Sequence, residues 1–454
     1  MNRLKVNSWQ QYQAIYIHIP FCKQKCLYCD FASYACFGEQ EMRAYTEALC
    51  HEIEARAEEA AKVAAGATIY CGGGTPSVLP VDCIERIVAT LKDCGFWSGQ
   101  TSSCTTVATS LCTGKAGSAQ EVCGASHREA TIEVNPGTAD LAKLKRLRAA
   151  GFDRISFGVQ SLQDDELRAM GRIHSASQAL EAIDLAKQAG FERISCDLIY
   201  GLPGQTMASL KDTLLRLIAT GIEHISVYGL ILEEGTPLEH LVSSGKVSLP
   251  DDDTSADMYE LVQQVLKERG FERYEISNYA KNGQYSRHNT VYWQYYPYIA
   301  FGAAACGFDV NDNTATNVRN TYYANASQAN SSDSFEMPMA YRRTGLSTVP
   351  EYIATAKALE PDAWRSSSLY SIEELTAAQQ LEEFMFMGLR RAQGADLAEA
   401  KERFGVDVWQ RYQAELAAYI AQGLVRYDVF AKRLALTEAG MEVGNQIFAI
   451  FVDD

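Results

Sequence analysis

Three cysteines stand close together near the beginning of the sequence, at Cys22, Cys26 and Cys29. Their C-x3-C-x2-C spacing puts three thiolates on one short loop, where each can bind one iron of a [4Fe-4S] cube and leave the fourth iron open to another ligand. The alternatives are a zinc loop and three incidental buried thiols. Because a structural zinc ion takes four protein ligands, commonly from paired C-x2-C units, we favour the cluster.

The composition limits the kind of protein that carries this loop. The 454 residues include thirteen cysteines, an odd number that cannot form a complete set of intramolecular disulfides. Lys and Arg total 41 and Asp and Glu total 57, and the net charge of −16 disfavours a nucleic-acid partner. The sequence has no signal peptide and no apolar run of about 18 residues, so we expect a cytoplasmic protein without a membrane span.

The elements that must position the loop follow a regular order. From residue 15 to about 235, short β-branched runs alternate with longer amphipathic segments, a pattern typical of strand–helix units on a parallel sheet. The predicted strands are 15–19, 68–71, 131–134, 154–159, 193–199 and 224–230. Six such units predict an α/β fold with a partial (β/α)6 barrel.

Three parts are expected along the chain. Residues 12–310 form the barrel and a β-rich extension, with an irregular insertion at about 98–128 that is rich in Ser, Thr, Gly and Ala. Residues 311–369 form a second irregular insertion and a linker. Residues 370–454 form a small helical domain whose order of two helices, a two-stranded ribbon and a final helix is winged-helix-like. This last part is acidic, which favours protein contact over binding to phosphates.

The cysteine loop resembles that of the radical S-adenosylmethionine (SAM) superfamily, in which it follows the first strand of a partial barrel and an aromatic residue, here Tyr28, precedes the last cysteine. Further segments are similar, in order, to motifs of the oxygen-independent coproporphyrinogen III oxidase family. They are 16–21 (YIHIPF), 72–77 (GGGTPS), 133–136 (EVNP), 158–161 (GVQS), 171–172 (GR) and 197–204 (DLIYGLPG). The resemblance implies a [4Fe-4S] cluster that cleaves SAM to methionine and a 5′-deoxyadenosyl radical.

The resemblance also implies which residues contact SAM. They are Tyr16, Gly73, Gly74, Thr75, Glu133, Gln160, Arg172 and Asp197. The two glycines end the second strand without side chains, so the backbone can approach the methionyl amine. Glu133 and Asp197 lie at strand ends, where barrel proteins gather ligand groups. For any one of these polar residues alone, a satisfied core group or a helix cap is the better explanation, and the assignment depends on the set as a whole and on the resemblance.

Two departures separate this chain from the coproporphyrinogen dehydrogenases of that family, which carry a further cysteine where this chain has Phe31 and a long extension before Tyr16. In both respects the sequence resembles the haem chaperone HemW branch of the family. Residues 287–293 (RHNTVYW) resemble that branch's H-N-x-x-Y-W motif, which identifies His288 as the haem contact, since imidazole is an axial ligand of haem iron. The alternatives are a half-buried structural histidine and an aromatic domain interface.

We therefore expect a haem chaperone-like radical SAM protein that binds a [4Fe-4S] cluster, SAM and haem and delivers haem to an acceptor protein. A reducing electron donor such as flavodoxin or ferredoxin is expected as a second partner. The alternative is an oxygen-independent coproporphyrinogen III dehydrogenase, which oxidatively decarboxylates propionates to give protoporphyrinogen IX. A third reading is a zinc-binding or acidic scaffold. Whether the protein is an enzyme stays open at this point, and no catalytic residue is assigned.

Overall fold

Six parallel strands in chain order form the centre of the molecule. The computed structural model describes residues 8–97, 128–310, 339–360 and 364–452. The six strands are β1 (Tyr12–Ile19), β2 (Val63–Gly73), β3 (Ala130–Val134), β4 (Arg154–Gln160), β5 (Arg193–Tyr200) and β6 (His224–Gly229). The predicted partial barrel is therefore confirmed.

Alternation along each strand separates two faces of this sheet. In β4, Ile155, Phe157 and Val159 are fully buried in the main apolar core. Arg154 and Ser156, which alternate with these residues along the strand, contact polar side chains of β6 and β5 instead. Successive side chains of a strand point to opposite faces, so the inner face of the barrel is polar although it is buried. We call the space along this inner face the lumen.

Helices between the strands cover the outer face. They are α1 (Glu39–Ala55), α2 (Val81–Asp93), α3 (Leu141–Ala150), α4 (Asp164–Ala169), α5 (Ala176–Gln188) and α6 (Met207–Ala219). Helix α1 has an apolar stripe at four-residue spacing, and its residues Tyr45, Leu49 and Ile53 are fully buried. Ser175 and Thr206 begin α5 and α6 with capping boxes, which satisfy the first free backbone amides of each helix.

The sheet continues beyond both edges of the six strands. The additional elements are α7 (Pro237–Ser243), α8 (Asp252–Glu268), β7 (Glu272–Arg273), β8 (Asn278–Ala280), α9 (Arg287–Trp293), β9 (Tyr298–Phe301), β10 (Cys306–Val310), β11 (Ala340–Gly345), α10 (Val349–Lys357) and β12 (Tyr370–Leu375). Strand β9 is parallel to β1, and β10, β11 and β12 follow it as antiparallel neighbours. At the other edge, β8 is antiparallel to β6, and β7 is antiparallel to β8.

Part of the segment 311–369 differs from the irregular course that its sequence predicts. Strand β11 and helix α10 lie within it, and β11 pairs with β10 and β12. The strand escapes recognition because Arg342 and Arg343 interrupt its apolar pattern; both form ion pairs with glutamates. Residues 98–127 and 311–338 lie outside the described residues, and the domain boundaries stay predictions.

The C-terminal part has the predicted winged-helix-like order. Its elements are α11 (Ala377–Leu389), β13 (Ala395–Asp396), α12 (Leu397–Phe404), α13 (Val408–Ala421), β14 (Val425–Asp428), β15 (Arg433–Leu436), α14 (Glu438–Glu442) and α15 (Gly444–Phe448). The three strands form an antiparallel sheet in the order β13-β15-β14. Gly423 follows α13 with a φ of +72°, as a residue that ends a helix commonly does.

In the part of the chain that the structure describes, none of the helices has both the length and the apolar character that crossing a membrane requires.

Candidate functional site

The loop with the three cysteines follows β1 directly and is attached to three distant segments. The backbone N–H of Cys22 donates to the carbonyl of Tyr34 at 2.9 Å. The N–H of Leu27 donates to Met170 at 3.1 Å, and the Leu27 carbonyl accepts from Leu238 at 2.9 Å. All three cysteines are free thiols of intermediate burial. The fold therefore fixes the loop at the carboxyl end of the barrel while its sulfurs stay accessible.

Polar groups of the barrel surround the three sulfurs. Cys22 Sγ lies 3.6 Å from Thr75 Oγ1, and Arg172 Nη1 lies 3.3 Å from Cys26 Sγ. Burial raises the pKa of the Cys22 thiol, and the charges of Cys29 and Cys26 raise it further. A bound iron cluster reverses this tendency because metal coordination deprotonates thiols. Among the described residues, no three His, Cys, Asp or Glu side chains already stand close enough together to hold a metal ion.

The glycines at the end of β2 bring backbone directly against this loop. Gly73 has a φ of +119°, and a Cβ there would lie 2.6 Å from the ring of His18. A Cβ at Gly74 would lie 2.7 Å from the carbonyl oxygen of Phe21 and 3.1 Å from Cys22 Sγ. Only glycine fits these two positions, because the ring of His18 and the backbone of Phe21 occupy the space that a Cβ would need.

Two buried carboxylates follow on the inner face of β3 and β5. Glu133 accepts from the Tyr70 hydroxyl at 2.6 Å and from the Gly73 N–H at 3.1 Å, and burial raises its pKa to about 7. Burial also raises the pKa of Asp197, whose contacts include the Ser156 hydroxyl at 3.4 Å. Neither forms an ion pair with a described Lys or Arg. A cationic or hydroxyl-bearing ligand is the kind of partner that these carboxylates lack.

Arg172, Gln160 and Tyr16 complete this end of the barrel. Arg172 donates from Nη2 to Asn135 Oδ1 at 2.7 Å, while its buried Nε has no partner among the described residues. Gln160 ends β4 with a φ of +65°, an uncommon conformation for a residue with a side chain. The Tyr16 hydroxyl lies 2.9 Å from His18 Nδ1. All eight residues expected to contact SAM thus lie in the second halves of β1 to β5 or in the segments that follow these strands, on the side of the cysteine loop.

His288 lies deeper in the lumen, towards the amino ends of the strands. It is 1 % exposed; Nδ1 is 2.8 Å from Thr68 Oγ1 and Nε2 is 2.7 Å from the Tyr292 hydroxyl. Its ring packs on Tyr70 with centroids 4.9 Å apart, and burial lowers its pKa to about 3. Both ring nitrogens are therefore occupied, and in this conformation His288 presents no free nitrogen to a haem iron.

Two residues of the site were not singled out from the sequence. Asn135, just after β3, donates from Nδ2 to Thr75 Oγ1 at 2.6 Å and accepts from Arg172, so it joins two residues expected to contact SAM. Glu129, fully buried just before β3, forms an ion pair with Arg193 at 2.7 Å. The signal for Asn135 is the EVNP motif at 133–136, whereas Glu129 has only its position just before β3.

A partial barrel with three cysteines after its first strand and polar groups at the strand ends defines a radical SAM protein. Residues 16–217 match the Radical SAM superfamily, and residues 375–443 match the HemN C-terminal domain. More specifically, the chain belongs to the heme chaperone HemW family. It is 31% identical to heme chaperone HemW of Lactococcus lactis over 445 residues, 98% of each chain.

Other relatives agree with this assignment. Heme chaperone HemW of Bacillus subtilis is 30% identical over 442 residues, which cover 97% of this chain and 100% of that protein. The Synechocystis protein of the same name is 36% identical over 317 residues, or 68% of this chain and 69% of its own. The solved structure of coproporphyrinogen III oxidase (HemN) from Escherichia coli aligns with a TM-score of 0.70 at 20% identity, covering 98% of this chain and 92% of that chain. This last likeness concerns the fold.

Proposed function

We propose that this protein is a haem chaperone that binds a [4Fe-4S] cluster, SAM and haem and delivers haem to an acceptor protein. The observation that supports the cofactor part is the convergence of three free thiols, two bare glycines and two unpaired buried carboxylates at one end of the barrel. The haem part draws on the relatives, which carry the name heme chaperone HemW. A reductant such as flavodoxin or ferredoxin and a cytoplasmic location belong to the same proposal.

Each group of residues has a distinct role in this proposal. Cys22, Cys26 and Cys29 bind three irons, and the cluster supplies one electron for cleavage of SAM. The backbone at Gly73 and Gly74, which lies against the cysteine loop, approaches the methionyl part of SAM. Further polar contacts come from the carboxylates on β3 and β5 and from Tyr16, Thr75, Gln160 and Arg172.

For haem contact at His288, one of its hydrogen bonds must break. The bond to Thr68 is the candidate, because Thr68 lies on β2, so a movement of the short helix α9 separates it from His288, whereas Tyr292 moves with His288. Binding of haem then competes with burial of the imidazole. This competition favours reversible binding, and delivery of haem to an acceptor requires that the binding be reversible.

Oxidative decarboxylation of coproporphyrinogen III is the second candidate, because the fold matches that of HemN over nearly the whole chain. The position that carries a further cysteine in those dehydrogenases is Phe31 here, and its side chain is 72 % exposed. An exposed phenylalanine cannot perform thiol chemistry, so we rank this function below haem delivery.

One reconstituted sample distinguishes the two functions. The full chain is purified without oxygen, its cluster is reconstituted, and haem is titrated while the Soret band is followed. Saturable haem binding supports the proposal, and absence of saturable binding rejects it. A change of the binding in the variant His288→Ala would assign the haem contact to His288. The same sample is then incubated with coproporphyrinogen III, SAM and reductant. Formation of protoporphyrinogen IX would favour the dehydrogenase.

A further inference from the structure

A large groove separates the barrel from the C-terminal part. It has a volume of about 980 Å³, at the upper end of the range for small-molecule sites. One wall comes from α8, the β7–β8 segment and the end of α9, and the other from residues 391–393, β14, β15 and α14. We call this space the interdomain groove. None of the residues expected to contact the cluster or SAM lines it.

Aromatic rings form much of the barrel-side wall. Tyr274 and Tyr285 are stacked with centroids 4.4 Å apart, and Trp293 lies at the end of α9. Tyr279 lines the groove as well and is 2 % exposed, yet its hydroxyl has no partner among the described residues. The same holds for the buried Nε1 of Trp293. Buried donors without partners are rare, and a bound ligand with acceptor atoms would satisfy them.

Three arginines face the same groove without a carboxylate partner among the described residues. Arg273 donates to the Ile276 carbonyl at 3.0 Å, Arg391 to Gln393 Oε1 at 2.9 Å and Arg426 to the Ala392 carbonyl at 2.9 Å. Burial lowers the pKa of Arg391, and the nearby charges of Glu399 and Asp396 do not reverse this. An arginine fork is best satisfied by a carboxylate.

The acidic side chains of the groove are mostly engaged elsewhere. Glu438 forms an exposed ion pair with Lys267, Glu272 accepts from the Tyr285 hydroxyl, and Glu442 accepts from Gln263. Glu260 is the fourth acidic residue of the groove, and it lies on α8 together with Gln263 and Lys267. The unpaired cations on the opposite wall, at Arg391 and Arg426, therefore remain available to an anionic ligand.

From this arrangement we infer that the interdomain groove is the haem site, an inference that rests on the proposed function. The porphyrin lies against the rings of Tyr274, Tyr285 and Trp293, and its two propionate carboxylates pair with Arg391 and Arg426. Planar apolar area beside paired cations matches the chemistry of a porphyrin dicarboxylate. His288 is not part of this site, because it is buried in the lumen on another side of α9.

The test compares haem with its dimethyl ester, which keeps the ring and the iron but lacks the carboxylate charges. Both are titrated into the full-length protein with its cluster reconstituted. We expect the wild type to bind haem about tenfold more tightly than the ester, and the double variant R391Q/R426Q to lose that preference. The control R146Q removes a surface arginine of α3 that pairs with Glu85, and it should keep the preference.

Each outcome decides between the sites. If R391Q/R426Q still prefers haem over the ester, haem does not bind in the interdomain groove. Haem binding by the wild type would still support the proposed function. No saturable binding by the wild type rejects both. The variant His288→Ala should keep the preference for haem over the ester. If this variant lost the preference, haem would instead be assigned to the lumen. Because Arg426 is exposed on β14, the single variant R426Q folds and gives a smaller loss of preference even if the double variant does not.

Discussion

Glu133 accepts a hydrogen bond of 2.6 Å from the hydroxyl of Tyr70 in the interior of the barrel. Burial raises the Glu133 pKa to about 7, so folding favours the protonated carboxyl. The stability that this group contributes is present below its unfolded pKa and is lost as pH rises through 7. The wild type should therefore lose about 2 kcal/mol of its free energy of unfolding between pH 5 and pH 8 through this group. Glu133→Gln should not show this loss, so its stability relative to the wild type should rise by the same amount.

Urea unfolding of the protein without SAM at the two pH values measures this difference. The control Glu268→Gln changes an exposed glutamate at the end of α8 and should show no such gain. An identical pH dependence for wild type and Glu133→Gln would mean that Glu133 is ionised throughout and has a cationic partner.

The three thiols give a direct prediction about iron. Cys22→Ala should abolish the iron–sulfur absorbance and most of the bound iron, while the reconstituted wild type holds about four irons per chain. Cys36→Ala is the matched control, since Cys36 is an exposed cysteine a few residues further along. Iron and zinc analysis checks the result. Equal iron in both variants, or zinc in place of iron, would contradict the cluster.

The barrel and the SAM end of the site were predictable from the sequence. The β-branched runs alternate with amphipathic helices, and this local period fixes both the parallel strands and the face of α1 that is buried. The residues at strand ends follow from the same register, so Glu133 and Asp197 come together once the strands are paired. Strand β11 was not recognised, because its arginines are stabilised by glutamates of distant segments.

The surroundings of His288 depend on contacts that a sequence does not reveal. Its partners Thr68 and Glu129 are 220 and 159 residues away. The motif predicts a functional histidine, but only the packing of α9 against β2 decides that its ring is enclosed. The interdomain groove was unpredictable for the same reason, since its walls come from two parts of the chain.

Burial of His288 predicts a dependence of stability on pH with the opposite sign from Glu133. Its pKa falls to about 3, so its contribution is present above its unfolded pKa of about 6.5 and is lost as pH falls. Between pH 7 and pH 5 the imidazole should account for about 2 kcal/mol of lost stability. His288→Gln should remove that part of the loss. Urea unfolding at both values tests this, and an unchanged slope would show that His288 is exposed in solution.

Gly73 has both a positive φ and a close contact with the ring of His18, and the effects of these two features can be tested separately. Gly73 and Gly66 both have positive φ, but a Cβ at Gly66 meets no atom within 4 Å, whereas one at Gly73 meets the His18 ring at 2.6 Å. Each change to Ala should lower the free energy of unfolding by about 1 kcal/mol, because alanine disfavours a positive φ. Only Gly73→Ala should also weaken SAM binding, measured by equilibrium dialysis of the reconstituted protein. Equal SAM affinity in the two variants would show that the bare backbone does not contact SAM.

Glu129 stabilises the helix that buries His288. Its fully buried carboxylate pairs with Arg193 at 2.7 Å and accepts the N–H groups of Arg287 and His288 at 3.1 and 2.9 Å. Burial raises its pKa, but Arg154 and Arg193 outweigh this and keep the pKa low. Removing Glu129 leaves Arg193 with only the longer ion pair to Asp153 at 3.8 Å, so Glu129→Gln should cost about 3 kcal/mol of the free energy of unfolding in urea.

The surface pair of Glu85 with Arg146 provides the comparison, because both side chains are well exposed. Glu85→Gln should cost less than about 1 kcal/mol, as exposed ion pairs do. Glu129→Gln should also increase amide hydrogen exchange in the first turn of α9, because its first N–H groups lose a charged acceptor. A cost equal to that of Glu85→Gln, with unchanged exchange in α9, would show that Arg193 and Arg154 find other counter-charges and that α9 does not depend on Glu129.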